Sequence, residues 1–445
     1  VSELGSSGLN RLADGQWSRA VGIALAALAV VYGGYSLGTA LVGENKGRDF
    51  AQYYVAARLV LAGEPATMYD TGPRYQERAA DFGVRGVPDD DGSILPVMNY
   101  AYPPLVAYAS VPLALVPYRY ARPLFALANF IAVFLGIWLL FANRPPESRR
   151  LLTMTGCVAA AVFYPTFFMV SNGQVGGILF FCCAAALHLA RRDRWLLAGL
   201  VLGLATNIKL FPAILVPWFL LRREYRVVAA AAGWTLLLAA VPLALGGAGL
   251  YGVFIRQTLP AVYSGGAYFR NQGFDGFYSR LLTDNQYVRP LANNPGLARL
   301  LTMASGAAVL VATGVAVARK AARGSLGHDL QFAACLAASL LFLSKSYEHY
   351  ALLLLPAFLF AFESLASRQQ LRRWPLAGVA ACYWTWAVVL SRESEYLKLP
   401  RSAWANPLYS VKFAATLVVW VILLALITGR RDPAATPGPP TPAGV

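Results

Sequence analysis

Apolar residues along this chain arrive in long unbroken runs, and the polar residues collect between them. A bilayer-spanning helix needs roughly 20 mostly apolar residues, so runs of this kind predict helices that cross a membrane. Twelve stretches are candidates: 20–42, 122–142, 151–170, 174–190, 195–208, 210–221, 227–249, 296–318, 328–345, 350–366, 375–390 and 408–428. Several are short for a full crossing. The pattern predicts an all-α integral membrane protein of about twelve transmembrane helices. The first run, 20–42, is too long for the core of a signal peptide and reads as an uncleaved first span.

Composition agrees, with 57% hydrophobic residues against 13% charged. The net charge of +16 does not indicate nucleic acid, because the basic residues form small clusters between apolar runs rather than one stripe. These clusters are Arg144/Arg149/Arg150, Arg191/Arg192/Arg194, Arg222/Arg223/Arg226, Arg319/Lys320/Arg323, Arg368/Arg372/Arg373 and Arg430/Arg431. Under the positive-inside rule all six face the cytoplasm. The helices between them must then come in pairs. The segment 195–221, which joins two basic clusters, is therefore a hairpin bent around Asn207, Lys209 and Pro212.

The same parity puts the tip Ser171-Asn172-Gly173-Gln174 on the outer side, together with 344–349, 391–407 and two long loops, 43–121 and 250–295. The apolar piece 103–117 carries Pro103, Pro104, Pro112 and Pro117 and reads as an interfacial helix inside the first long loop. The organisation is thus a cytoplasmic segment 1–19, one polytopic membrane domain 20–428, and a Pro- and Ala-rich cytoplasmic tail 429–445 expected to be disordered. The five cysteines all fall inside apolar runs and read as small buried hydrophobes.

Chemistry-bearing residues collect on the outer side. Asp49 lies just past the first span, among aromatics; a shielded interfacial carboxylate suits a general base, and equally a helix cap or a partner for Arg48 or Arg58. Lys209, in the hairpin bend, is a cation that either meets an anion such as phosphate or snorkels to the interface. Asn172 and Gln174 suit sugar hydroxyls or helix caps. The second long loop sets Arg270 and Arg280 around Asn271 and Gln272, with aromatic neighbours, a composition that fits phosphate and sugar as well as an ordered loop. Glu348 and His349 are an acid and a base side by side, a candidate site or a local hydrogen-bond network.

No phosphate-binding glycine loop, zinc-spaced His/Cys set or nucleophile elbow is found, so an activated donor must supply the energy. Neither a cofactor nor a metal ion is expected; the run Asp89-Asp90-Asp91 reads as a solvated loop. A twelve-helix transporter or lipid flippase is the competing class, but it favours charges at the bilayer midplane and short outer loops, the reverse of this pattern.

In combination these strings resemble the GT-C superfamily of membrane glycosyltransferases, and within it glycosyltransferase family 87, the polyprenyl-phosphate-mannose-dependent mannosyltransferases. The resemblance covers roughly 20–428 and rests on Asp49-Phe50 with Tyr53 and Tyr54, the stretch from Gly63 to Tyr69, Tyr102-Pro103-Pro104-Leu105, Asn172-Gly173-Gln174, Lys209 with Pro212, Asn271-Gln272 leading to Arg280, and Ser344 to Tyr350. Lys345 stands where the family often has proline, Gly273 where it has serine, and Tyr350 follows a single histidine. The resemblance implies an inverting transfer of a sugar, with mannose expected, from a polyprenyl-phosphate donor to a lipid or glycan acceptor at the outer face of a bacterial cytoplasmic membrane. It implies Asp49 as base, Lys209, Arg270 and Arg280 on the donor phosphate, and Tyr53, Tyr102, Asn172, Gln174, Asn271, Gln272, Glu348 and His349 on sugar or acceptor.

Overall fold

The computed structural model describes residues 47–84, 86–88, 94–366, 373–390, 395–396 and 398–429, with scattered positions between 27 and 38. The segments 1–19 and 430–445, most of the first apolar run, the run Asp89-Asp90-Asp91, Arg368 with Arg372, and the Arg430 cluster lie outside the described residues.

Apart from a two-residue antiparallel ladder, Val87–Pro88 with Ile94–Leu95, the described chain is helical. Five helices are long and apolar enough to cross a membrane unaided: Tyr118–Phe141, Tyr225–Gly246, Pro295–Val317, Glu348–Ala366 and Val411–Thr428. Shorter apolar helices occupy Gly176–Arg191, Trp195–Ile208, Phe211–Leu221 and Leu326–Phe342. This is a multi-pass membrane protein. The run expected at 151–170 is a broken pair, Pro146–Val162 and Tyr164–Asn172, bent by 59°. Pro165 sits at the start of the second piece, where it lacks the amide that would have continued the ladder and its ring crowds the preceding turn.

Ion pairs gather the four basic clusters between Arg144 and Arg323 at one end of the molecule. Arg144 binds Glu363 (2.6 Å) and Asp329 (2.7 Å), and the Arg191 Nε donates to the same Asp329 at 3.1 Å. Arg323 reaches both Asp193 (2.9 Å) and Glu224 (3.5 Å), the residues that flank 195–221. The chain therefore leaves from and returns to the same end between them, as helix parity required. Gly176–Arg191 is about 24 Å long at about 1.5 Å per residue, so its other end, beside Gln174, lies far from this ionic layer.

Both long loops contain helices. The first contains Arg48–Leu61, Pro73–Asp81, Pro104–Ala109 and Val111–Ala114; the second is helical from Ala248 to Val262 and again at Phe274–Leu282. Phe50, Tyr53 and Tyr54 bury one face of Arg48–Leu61, with the Phe50 ring 4.8 Å from Phe125. Tyr54 adds a hydrogen bond to the Val116 carbonyl at 3.0 Å.

Candidate active site

The first turn of Arg48–Leu61 is docked by a glycine contact. The Gly47 amide donates to Ser171 O at 2.8 Å, and Gly173, at φ 69°, turns the chain so closely over this helix that an added Cβ would stand 2.6 Å from Phe50 Cβ. Asp49 and Gln174, 125 positions apart, thereby line one cavity.

That cavity has a volume of about 470 Å3. Of the residues singled out in the sequence, Asp49, Tyr102, Asn172, Gln174, Lys209, Arg270 and His349 line it, joined by Arg48, Lys345, Tyr347 and Tyr350. Its remaining wall includes Ile208, Leu210, Phe211, Phe254, Leu259 and Val262, so one side is apolar.

Gln174 organises the polar side. Its Oε1 accepts from Tyr102 OH at 3.0 Å, Lys209 Nζ at 3.2 Å and Tyr53 OH at 3.4 Å. Lys209 also donates to Tyr350 OH at 3.1 Å and lies 4.2 Å and 5.0 Å from the ring centroids of Tyr350 and Tyr102. Asp49 accepts from Gln52 Nε2 at 3.2 Å, and the Gln52 Oε1 accepts from the Ala101 amide, also at 3.2 Å. Desolvation raises the Asp49 carboxyl above its ordinary value, opposed by Gln174, Lys209, Arg48 and Gln52. Desolvation lowers Lys209, opposed by Asp49. The N-terminal position of Asp49 in its helix adds a favourable dipole for the anion.

Arg270 enters from the opposite loop, its guanidinium 4.7 Å from the Phe168 ring centroid and 5.3 Å from that of Phe269. It is ion-paired to Glu348, which is also paired to Lys412; the Glu348 and Lys412 side chains are fully buried. The Glu348 partnership holds Arg270 above the ordinary guanidinium value despite its burial. The buried His349 Nε2 has no protein partner, and His349 lines the cavity.

Several expected site residues are not in the cavity. Arg280 is fully buried, donating to Asn406 Oδ1 (2.9 Å), the carbonyls of Tyr268 and Asn271 (both 3.1 Å) and Ser410 Oγ (2.8 Å), so it braces the loop and is not available to phosphate. Asn271 donates to Ser344 O at 2.7 Å and accepts from the Ser346 amide at 2.9 Å. Gln272 donates to the Phe269 and Tyr409 carbonyls, both at 2.8 Å, and accepts from the Phe413 amide at 3.0 Å. These two amides bind backbone where a sugar was expected. Glu348 serves as a buried counter-ion, and Tyr53 stands behind Gln174. Asn172 lines the cavity while its amide caps Phe168 O at 2.9 Å.

Lys412 was not among the expected residues, although a lysine inside an apolar run is itself a signal, since a charge there is costly without a partner. Nor were Arg48 and Lys345 expected as cavity residues.

The family model for Glycosyltransferase family 87 matches residues 100–356, more than half of the chain. The chain belongs to glycosyltransferase family 87. The matched segment carries Tyr102, Gln174, Lys209, Arg270 and His349; Asp49 precedes it and is brought into the same cavity by the fold. A curated relative from Mycolicibacterium smegmatis (strain ATCC 700084 / mc(2)155) is named polyprenol-phosphate-mannose-dependent alpha-(1-2)-phosphatidylinositol pentamannoside mannosyltransferase. It is 27% identical to this family 87 chain over 179 residues, which is 40% of this chain and 39% of the relative's length.

Proposed function

We propose that this family 87 protein is an inverting glycosyltransferase that moves a sugar, mannose in the first instance, from a polyprenyl-phosphate donor to a lipid or glycolipid acceptor at the outer face of a bacterial cytoplasmic membrane. The observation that carries the reading is one cavity holding a carboxylate, four cationic side chains and an apolar wall together: Asp49; Arg48, Lys209, Arg270 and Lys345; and the side from Ile208 to Val262. An amphiphilic phosphodiester needs this combination, because its head must meet cations while its chain stays out of water. The name of the mycobacterial relative supports a polyprenol-phosphate-mannose donor.

In the proposed reaction Asp49 takes the proton from an acceptor hydroxyl as that oxygen attacks the anomeric carbon. The carbon–oxygen bond to the phosphate breaks, its electron pair leaves with polyprenyl phosphate, and the configuration at carbon inverts. Lys209 and Arg270 hold the phosphate and stabilise the charge that develops on the leaving oxygen. His349 Nε2, unpartnered by protein, is the group assigned to a sugar or acceptor hydroxyl. Tyr102 and Asn172 shape the cavity wall.

The test is transfer of label by the purified protein in lipid from radiolabelled polyprenyl-phosphate-mannose to membrane lipids. Labelled glycolipid and free polyprenyl phosphate in equal amounts are expected. Absence of transfer from this donor and from other polyprenyl-phosphate sugars would sink the reading.

A further inference from the structure

Arg270 lines the cavity, but the carboxylate it is paired with does not. That carboxylate is shared. Lys412 Nζ is bonded to Glu348 Oε1 and Arg270 Nη1 to Glu348 Oε2, so each cation has one oxygen. Tyr396 OH adds a bond to Oε1 at 3.4 Å, on the Lys412 side. Lys412 is also outside the cavity lining, so its connection to the site runs through Glu348 alone.

The backbone holds this arrangement. The Gln272 amide, two positions past Arg270, donates to Ser346 O at 2.8 Å, two positions before Glu348. The Gln272 side-chain oxygen accepts from the Phe413 amide at 3.0 Å, next to Lys412. The three charged residues are therefore carried on segments pinned to one another. Lys412 is fixed further by the Leu390 carbonyl at 3.0 Å and by the rings of Tyr164 and Trp386, whose centroids lie 5.2 Å and 5.5 Å from its Nζ. Glu395 acts on Lys412 more weakly than Glu348 does.

A lysine in the first turn of an apolar helix is costly, both in desolvation and against the helix dipole. Val411–Thr428 needs none in order to span a membrane. Guanidinium chemistry supplies a reason for it. A carboxylate with both oxygens free meets arginine as a fork, with two parallel bonds that use up one edge of the guanidinium. With Oε1 held by Lys412, Glu348 offers Arg270 a single oxygen, and Arg270 keeps donors for an anion in the cavity it lines.

We infer that Lys412 is a positioning residue for the donor phosphate: by occupying one oxygen of Glu348 it stops that carboxylate from closing on Arg270 and so keeps the guanidinium available. The inference rests on the reading of Lys209 and Arg270 as the phosphate-holding pair and adds to it a residue from outside the cavity.

The test uses the full chain in lipid nanodiscs and reads two quantities per folded protein: binding of radiolabelled polyprenyl phosphate, and the donor KM and kcat of transfer from polyprenyl-phosphate-mannose. Lys412→Met is expected to weaken binding and raise the donor KM about tenfold, the size of one net charge-assisted hydrogen bond, with kcat little changed. Lys412→Arg, which can still hold Oε1, is expected to recover most of the affinity. Adding Glu348→Gln to Lys412→Met is expected to return binding to the wild-type level or above, because no carboxylate is left to close on Arg270. Wild-type binding by Lys412→Met, or a loss that Glu348→Gln does not relieve, overturns the inference and leaves Lys412 a structural residue. Should the double variant fail to fold, Lys412→Arg decides: a loss as large as that of Lys412→Met overturns the inference. A wild type that binds no polyprenyl phosphate overturns the phosphate-site reading itself, and the inference with it.

Discussion

Gln174 Oε1 accepts a hydrogen bond from Lys209 Nζ at 3.2 Å, and the two side chains, both buried, join the tip of one helix pair to the bend of the next. A carbonyl that already takes three donors has little left for a sugar, so Gln174 is a positioning residue that holds Lys209 and the tyrosines in place around Asp49.

Gln174→Leu is accordingly expected to impair the site well beyond the loss of one contact. Three buried donors lose their acceptor at about 1–3 kcal/mol for each left unsatisfied. Donor affinity falls at least tenfold, and the pH profile of transfer shifts as well. An unshifted profile with only a lower melting temperature would reduce Gln174 to a structural amide.

Removing Glu348 leaves Arg270 and Lys412 without the carboxylate they both contact. Glu348→Gln is therefore expected to destabilise the protein by about 3–5 kcal/mol, and more than Lys412→Met, which keeps the Arg270 pair. Thermal unfolding in detergent measures the order. The reverse order would show that Lys412 has a second role.

Gly173→Ala places a Cβ 2.6 Å from Phe50 Cβ at a backbone angle that disfavours any side chain. It is expected to displace the Asp49 turn. The checking measurement is kcat, which should fall more than the donor KM rises.

With Asp49 as the proposed base, the acid limb of the rate profile is expected to follow its carboxyl. Burial raises its carboxyl, so the base is protonated and inactive at pH values where an ordinary aspartate is already ionised. Transfer should rise with pH across a range above the usual carboxylate one and fall again below the usual lysine range as Lys209 loses its proton. Because the two groups interact, both limbs belong to the pair. kcat/KM measured against pH in liposomes checks this; an acid limb at the ordinary aspartate value would place the base elsewhere.

Much of the fold was readable because bilayer physics leaves few choices: apolar runs became helices, and the four basic clusters between Arg144 and Arg323 met at one end. The return of 195–221 to that end followed from charge alone, and Arg323 now joins its two flanks. Of the expected residues, those that sat alone at a helix end, Asp49, Gln174 and Lys209, do line the one cavity. Where several polar residues sat in one loop, composition did not tell which of them face the cavity. Arg280, Asn271 and Gln272 have the composition of a binding loop, but a loop buried beneath helices must satisfy its own backbone first, and they do that. Spacing carries no sign of which of two arginines faces a cavity. Helix boundaries inside the long loops were equally hidden, because short helices such as Pro104–Ala109 owe their existence to tertiary packing.

In the proposed reaction Asp49 takes a proton from the acceptor. Asp49→Asn keeps the shape of the side chain and its contact with Gln52, so the decisive measurement is the rate of label transfer from polyprenyl-phosphate-mannose by this variant beside wild type, at equal folded concentration in lipid. A loss of about 10²–10⁴-fold with donor binding retained is the expected result. A variant that transfers within a few-fold of wild type would contradict it.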